Sequence, residues 1–265
     1  MSDSPTSHAS KKAKTTPKGT PLWSDIDLSK LTIDTTPQGA EIKHATVKYD
    51  GGRPTFQLEA ATGSLRCPFG VDDGSKFSGK PSLNIELPSE QLAFFQDQLE
   101  ANVKDAAVAN KDAWFGAIKP LPSDDAIHTS FNSRIKVDDK YPATLKVNIN
   151  LSEGPKKVQV LTSRRLADGK ITKPQPATVD AVVRGARVVP VLRTAGGVWI
   201  SVNAKKKTFE YGLVFEAYEL LVIEETEAAT SFNFDGVGVV SSDDDQDKDN
   251  GEANAEDGGY DALGA

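Results

Sequence analysis

Few residues in this chain are equipped for covalent or metal chemistry. It holds three histidines, His8, His44 and His128, and a single cysteine, Cys67. A zinc site draws three or four N, S or O ligands, usually from a cluster, and none of these residues has partners at ligand spacing. No serine sits in a recognisable nucleophile context, and no G-x-x-x-x-G-K-[ST] phosphate cradle occurs. Three acid pairs, Asp72-Asp73, Asp124-Asp125 and Asp138-Asp139, offer the carboxylates a two-metal nuclease would bring together. Adjacent acids in loops are more commonly solvated surface. The expectation is a protein that is not an enzyme and uses no cofactor or metal.

Binding to a polyanion is better supplied. Single-stranded nucleic acid asks for cations that meet phosphates and aromatic faces that stack on bases. Residues 193–218 provide both, with Trp199, Phe209 and Tyr211 flanking Lys205, Lys206 and Lys207. The wider segment 154–210 carries twelve Lys/Arg against three acids, a local net of +9. From Glu224 onward thirteen acids face one base, Lys248, a net of −12, although the whole chain carries only −7. The remaining body is therefore basic, and its acidic end masks it. Phosphate contacts are expected from Lys156, Lys157, Arg164, Arg165, Arg187 and Lys205–Lys207, joined by Arg66, and stacking from Trp199, Phe209 and Tyr211, with Phe69 a further candidate.

The elements that must position these residues are mostly short strands. Residues 1–20 are Ser/Thr/Pro/Lys-rich without a large apolar residue after Met1, and residues 241–265 have the same character with opposite charge; both ends are expected to be disordered. Leu22–Ile33 reads as a lead-in anchored by Trp23. Two apolar-alternating runs broken by Asp50-Gly51-Gly52 read as a β-hairpin, followed by strands at Ser64–Phe69 and Ser82–Leu87 around a loop from Gly70 to Pro81. Pro88-Ser89 opens a helix, with Ser89 as N-cap and Leu92, Phe95, Leu99, Val103 and Ala106 or Ala107 as its apolar face. A short helix is expected over Asp124–Ser133. Strict alternation at Leu145, Val147, Ile149 and Leu151 marks a strand, and further strands read at Val158–Leu161, Val179–Leu192, Val198–Asn203 and Glu210–Glu224. Alternation puts Val198, Ile200 and Val202 on one face and Trp199, Ser201 and Asn203 on the other. In the last strand it groups Leu213, Phe215, Ala217 and Glu219. The sum is a β-rich domain of about eight short strands with an inserted helix.

The stretches Val188–Leu192, Gly196-Gly197-Val198-Trp199-Ile200 and Phe209-Glu210-Tyr211-Gly212, with the final apolar strand, resemble the single-stranded-DNA-binding proteins of large eukaryotic DNA viruses, distant relatives of the bacteriophage T7-type protein. Lys111-Asp112-Ala113-Trp114-Phe115-Gly116, then Phe131, Ile135 and the Pro142–Leu151 strand, extend the resemblance over most of residues 40–224. It implies an OB-type β-barrel with an inserted α-helix, largely sequence-independent single-stranded DNA binding in replication, recombination or repair, and a homodimer. Tails of phage-type relatives end on an aromatic residue, whereas Tyr260 here is followed by Asp-Ala-Leu-Gly-Ala.

The organisation expected is a basic arm over 1–21, an OB-fold domain over 22–228 and an acidic tail over 229–265. The tail would compete with DNA for the basic surface and recruit replication proteins. A different class of reading is an acidic-tailed chaperone or scaffold for basic proteins such as histones. One cysteine allows no internal disulfide, and no apolar run reaches membrane-spanning length. An intracellular protein is expected, with the nucleus or a viral replication site as its place of action; Lys11, Lys12, Lys14 and Lys18 form a basic cluster of the import type.

Overall fold

The computed structural model describes residues 20–225, apart from 61, 76–78 and 167. The expected acidic tail and all but the last two residues of the expected basic arm lie outside the described residues. The strands are β1 (Leu31–Ile33), β2 (Ile42–Ala45), β3 (Val47–Tyr49), β4 (Thr55–Gln57), β5 (Leu65–Arg66), β6 (Val71–Asp72), β7 (Ser82–Glu86), β8 (Ile135–Lys136), β9 (Thr144–Ile149), β10 (Gln159–Arg165), β11 (Gln175–Ala177), β12 (Arg187–Asn203) and β13 (Thr208–Glu225). Between β7 and β8 lie α1 (Ser89–Ala93), α2 (Ala101–Ala109), α3 (Lys111–Phe115) and α4 (Asp124–Thr129). The fold is mainly β with an inserted helical segment.

One long hairpin organises the sheet. β12 and β13, of 17 and 18 residues, pair antiparallel from Asn203↔Thr208 back to Arg187↔Ile223. The outer edge of β12 then takes β2, β4 and β5 in succession. The outer edge of β13 takes β9 and β10 in parallel, and β7 and β8 continue from β9. No ladder joins β5 to β7 among the described residues; the Arg66–Glu86 ion pair, at 3.0 Å, spans them.

The inserted helix packs on the core-facing side of the sheet. Its middle, Phe94–Glu100, is wound as a π-helix between α1 and α2, which admits an extra residue per turn. Phe94 and Phe95 are therefore both buried, together with Leu99, Val103 and Ala107. Phe95 packs edge-on against Phe215, 5.3 Å between centroids, and Phe56 lies 6.1 Å from Phe95. The helix, β4 and β13 thus share one core. Pro88, not Ser89, takes the N-cap position, and Ser89 lies within the first turn.

Three local expectations are corrected. The runs around Asp50-Gly51-Gly52 do not form a hairpin: the turn is present, with Asp50 and Gly51 at positive φ, but β3 pairs with β1 while β2 and β4 pair with β12. Val179–Leu192 is not one strand, because Val179–Ala181 is a 3-10 turn and β12 starts only at Arg187. In β13 the alternation flips. Leu192 faces Ala217 but Val191 faces Glu219, so Tyr218 is the extra residue of a bulge. Leu220 and Val222, not Glu219, continue the buried face.

Candidate nucleic-acid interface

The core-facing set of the hairpin is Val198, Ile200 and Val202 opposite Leu213, Tyr211 and Phe209. Directly opposed residues of an antiparallel pair share a face, so Trp199 stands on the other side, between Gly212 of β13 and His44 of β2. The indole is half-buried. It lies against Gly212, where a Cβ would meet its Nε1 at 3.1 Å and its Cε2 at 3.3 Å. The Nε1 donor has no hydrogen-bond partner among the described residues.

A cleft of about 360 Å³ opens around Trp199, bordered by Ile42, His44 and Val214 and by the cations Lys80, Arg134 and Lys146. A second cleft of about 370 Å³ shares Lys80, Asn148 and Ala195 with it and continues past Asn150 and Ser152 to Glu216. The two form one trough across the face of the sheet opposite the core. Period-2 alternation supplies its floor: Leu145, Val147 and Ile149 are buried, while Lys146 and Asn148 point the other way. Among the described residues no ion pair holds Lys80, Arg134 or Lys146. Burial acts against the charge of Arg134 and lowers its pKa, and its Nε is unpartnered. At the far end of the trough Glu216 is neutralised internally, accepting from Arg193 Nε at 3.0 Å.

The residues singled out from the sequence do not form one site. Arg66 and Arg187 face each other across β5 and β12, and Arg164 and Arg165 lie beside Glu224 and Glu225 in the β10–β13 ladder. Most of this cluster is engaged. Arg66 pairs with Glu86 at 3.0 Å, Arg164 approaches Glu224 at 3.7 Å and Arg187 approaches Glu225 at 3.9 Å, while Arg165 donates to the Thr62 carbonyl at 3.2 Å. Lys157 pairs with Glu153 within an exposed turn, and Lys156 beside it is exposed. Lys205, Lys206 and Lys207 are exposed at the hairpin tip, where Asn203 Oδ1 accepts from the Lys206 N–H at 3.0 Å. Trp199 and Arg187 stand twelve positions apart along β12, about 40 Å of strand.

Of the three aromatics, only Trp199 lines the trough. Tyr211 is fully buried, 5.6 Å from Phe115 and 5.3 Å from Phe131 between centroids. Its pairing with Ile200 turns it into the core, so the expectation that it stacks on a base is corrected. Phe209 is half-buried on the same side, 4.7 Å from Phe115. Phe69 is 66% exposed, three residues after Arg66 in the chain. The acid pairs serve local turns and pairs: Asp72 and Asp73 accept from the Gly74 and Ser75 N–H groups, Asp124 pairs with Lys111 and Asp138 accepts from the Lys140 N–H. Among the described residues no group of three or more His, Cys, Asp or Glu is placed to hold a metal ion, and no helix is long and apolar enough to cross a membrane.

Lys80, Arg134, Lys146, Asn148 and His44 were missed because each stands alone in the sequence. The one available signal was the outward register of Lys146 and Asn148 between buried Leu145, Val147 and Ile149.

No family model matches the chain, and no curated protein matches it. Solved structures similar to it include the single-stranded DNA-binding protein from bacteriophage Enc34. The C-terminally truncated form gives 12% identity over 75% of this chain and 98% of that chain, TM-score 0.33; the other form gives 13% over 72% and 89%, TM-score 0.34. The single-stranded DNA binding protein gp2.5 encoded by bacteriophage T7 gives 12% over 65% and 87%, TM-score 0.38.

Proposed function

We propose that the chain binds single-stranded DNA, largely without regard to sequence, and carries out no catalysis. The observation that carries this reading is Trp199, an aromatic platform on the face opposite the core, bordered by Lys80, Arg134 and Lys146 with no acid paired to them among the described residues. Bases stack on Trp199 and phosphates meet the three cations, the combination single-strand binding needs. Lys205–Lys207 and Lys156 extend the phosphate track, and Phe69 offers a second exposed ring. Arg66, Arg164, Arg165 and Arg187 contribute to the positive field around that ring rather than to the trough.

A role in replication, recombination or repair, at a viral replication site or in the nucleus, is supported by the sequence motifs that resemble viral OB-fold proteins. A homodimer rests on the same motifs. The net charge of −12 from Glu224 onward supports an intramolecular competitor that is freed for replication partners when DNA binds. Removal of residues 241–265 then tightens DNA binding, most at low salt.

The deciding experiment is an anisotropy titration of labelled oligo-dT and of a duplex of equal length, at two salt concentrations, with the wild-type chain and Trp199→Ala. Preference for the single strand, affinity falling with salt and a loss of about 1–3 kcal/mol in the variant are expected. Absent binding, or equal affinity for the duplex, overturns the reading and directs attention to basic proteins as tail partners.

A further inference from the structure

Arg134 reaches the trough from a loop gripped on two sides. On one side β13 holds it: Asn132 N–H donates to the Tyr211 carbonyl at 2.7 Å, and the Phe131 ring packs on Tyr211. β9 adds Lys146 N–H, which donates to the Arg134 carbonyl at 2.9 Å. On the other side stands the inserted helix. Lys104 Nζ lies 5.0 Å above the Phe131 ring, and four residues earlier Glu100 Oε1 accepts from Ser133 Oγ at 2.6 Å. Ser133 Oγ in turn accepts from the Ile135 N–H at 3.0 Å. One hydroxyl therefore ties the residues on both sides of Arg134 to the end of the π-helical turn.

Glu100 is only 6% exposed, and burial raises its pKa. Burying a carboxylate is costly unless it is well bonded, and a core helix needs no charge at this position for packing. Glu100 is held by one hydrogen bond, from the residue before Arg134, and by the charge of Lys104, which itself lies over Phe131 of the same loop.

We infer that Glu100 and Ser133 are positioning residues that hold the Arg134 guanidinium over the trough as a phosphate ligand, so that the inserted helix orders the binding face as well as filling the core. The inference rests on the trough being the single-strand site. Arg134 itself carries part of its surface out of water with Nε unsatisfied, an arrangement that gains most when an anion supplies the acceptor.

The test is a set of salt-dependent oligo-dT titrations on the full chain with Arg134→Ala, Ser133→Ala, Glu100→Gln and the double variant Ser133→Ala/Arg134→Ala, each checked for folding by circular dichroism and melting. Arg134→Ala is expected to weaken binding about tenfold and to reduce the salt slope by about 0.7. Ser133→Ala moves both quantities in the same direction, and it adds nothing once Arg134 is gone. Glu100→Gln, whose amide oxygen still accepts from Ser133, retains binding. If Arg134→Ala weakens binding while Ser133→Ala leaves it unchanged, or if Ser133→Ala costs as much without Arg134 as with it, the positioning role is overturned and the binding face stands. If the wild-type chain does not bind oligo-dT, the single-strand reading falls and takes this inference with it.

Discussion

Trp199 keeps its place because position 212 has no side chain. The two residues are directly opposed across β12 and β13, and a Cβ at 212 would stand 3.1 Å from the indole Nε1 and 2.6 Å from the Asn132 carbonyl oxygen. The second contact is with backbone, which cannot rotate away. Gly212→Ala is therefore expected to cost about 1–3 kcal/mol of stability by overpacking and to shift the Trp199 emission maximum. Urea unfolding and fluorescence measure the two effects. Unchanged emission would show that Gly212 does not shape the platform.

The Arg66–Glu86 pair makes a second, signed prediction. Arg66 is directly opposite Arg187, and like charges in that relation destabilise a strand pair. Glu86 offsets the repulsion and links β5 to β7. Removing the acid takes the partner of Arg66 away opposite Arg187, which among the described residues keeps only Glu225 at 3.9 Å, whereas removing Arg66 relieves their repulsion. Glu86→Ala should accordingly cost more than Arg66→Ala, with about 1 kcal/mol expected for Glu86→Ala in urea unfolding. The reverse order would show that the pair is not what offsets Arg187.

The same pair shows what a sequence can and cannot disclose. Local charge density singled out Arg164 and Arg187, and Arg66 was joined to them from outside the basic segment, but their acidic partners lie at residues 224, 225 and 86, and only the sheet register brings them together. The outward side of Trp199 was legible because alternation is a property of the strand itself. It held as far as Ala217 and then failed at the Tyr218 bulge, which single-strand periodicity does not announce. The helix at 89–109 was legible in its extent, but its π-turn hid Phe94 from the 3.6-residue pattern. The trough was illegible for a topological reason. Its cations sit at positions 80, 134 and 146, on loops and a strand that converge only when β7 and β8 pair with β9, and they meet Trp199 only when β9 pairs with β13.

Glu100 predicts a pH dependence. Burial raises its pKa, so the folded state holds this proton to a higher pH than the unfolded chain does. Between the ordinary carboxylate range and the raised value, stability from this group falls as pH rises. Glu100→Gln keeps the acceptor for Ser133 and removes the buried charge. Its melting temperature should exceed that of the wild type near pH 7 and converge with it in acid, where Glu100 is protonated. Parallel melting curves at every pH would exclude Glu100 as the source.

The hairpin tip separates charge from backbone strain at a single position. Lys207 holds a φ of +54°, a left-handed conformation that costs a residue with a Cβ about 1–2 kcal/mol and glycine little. Lys207→Gly should therefore stabilise the fold by about 1 kcal/mol, since relief of the turn outweighs the added freedom of the unfolded chain. It also removes one of three exposed lysines. If the tip touches phosphate, the same variant that melts later binds oligo-dT with a salt slope smaller by about 0.7. Melting and titration then move in opposite directions, a result that loss of structure cannot produce. A later melting point with an unchanged salt slope would place the tip outside the DNA path and leave the phosphate contacts to Lys80, Arg134 and Lys146.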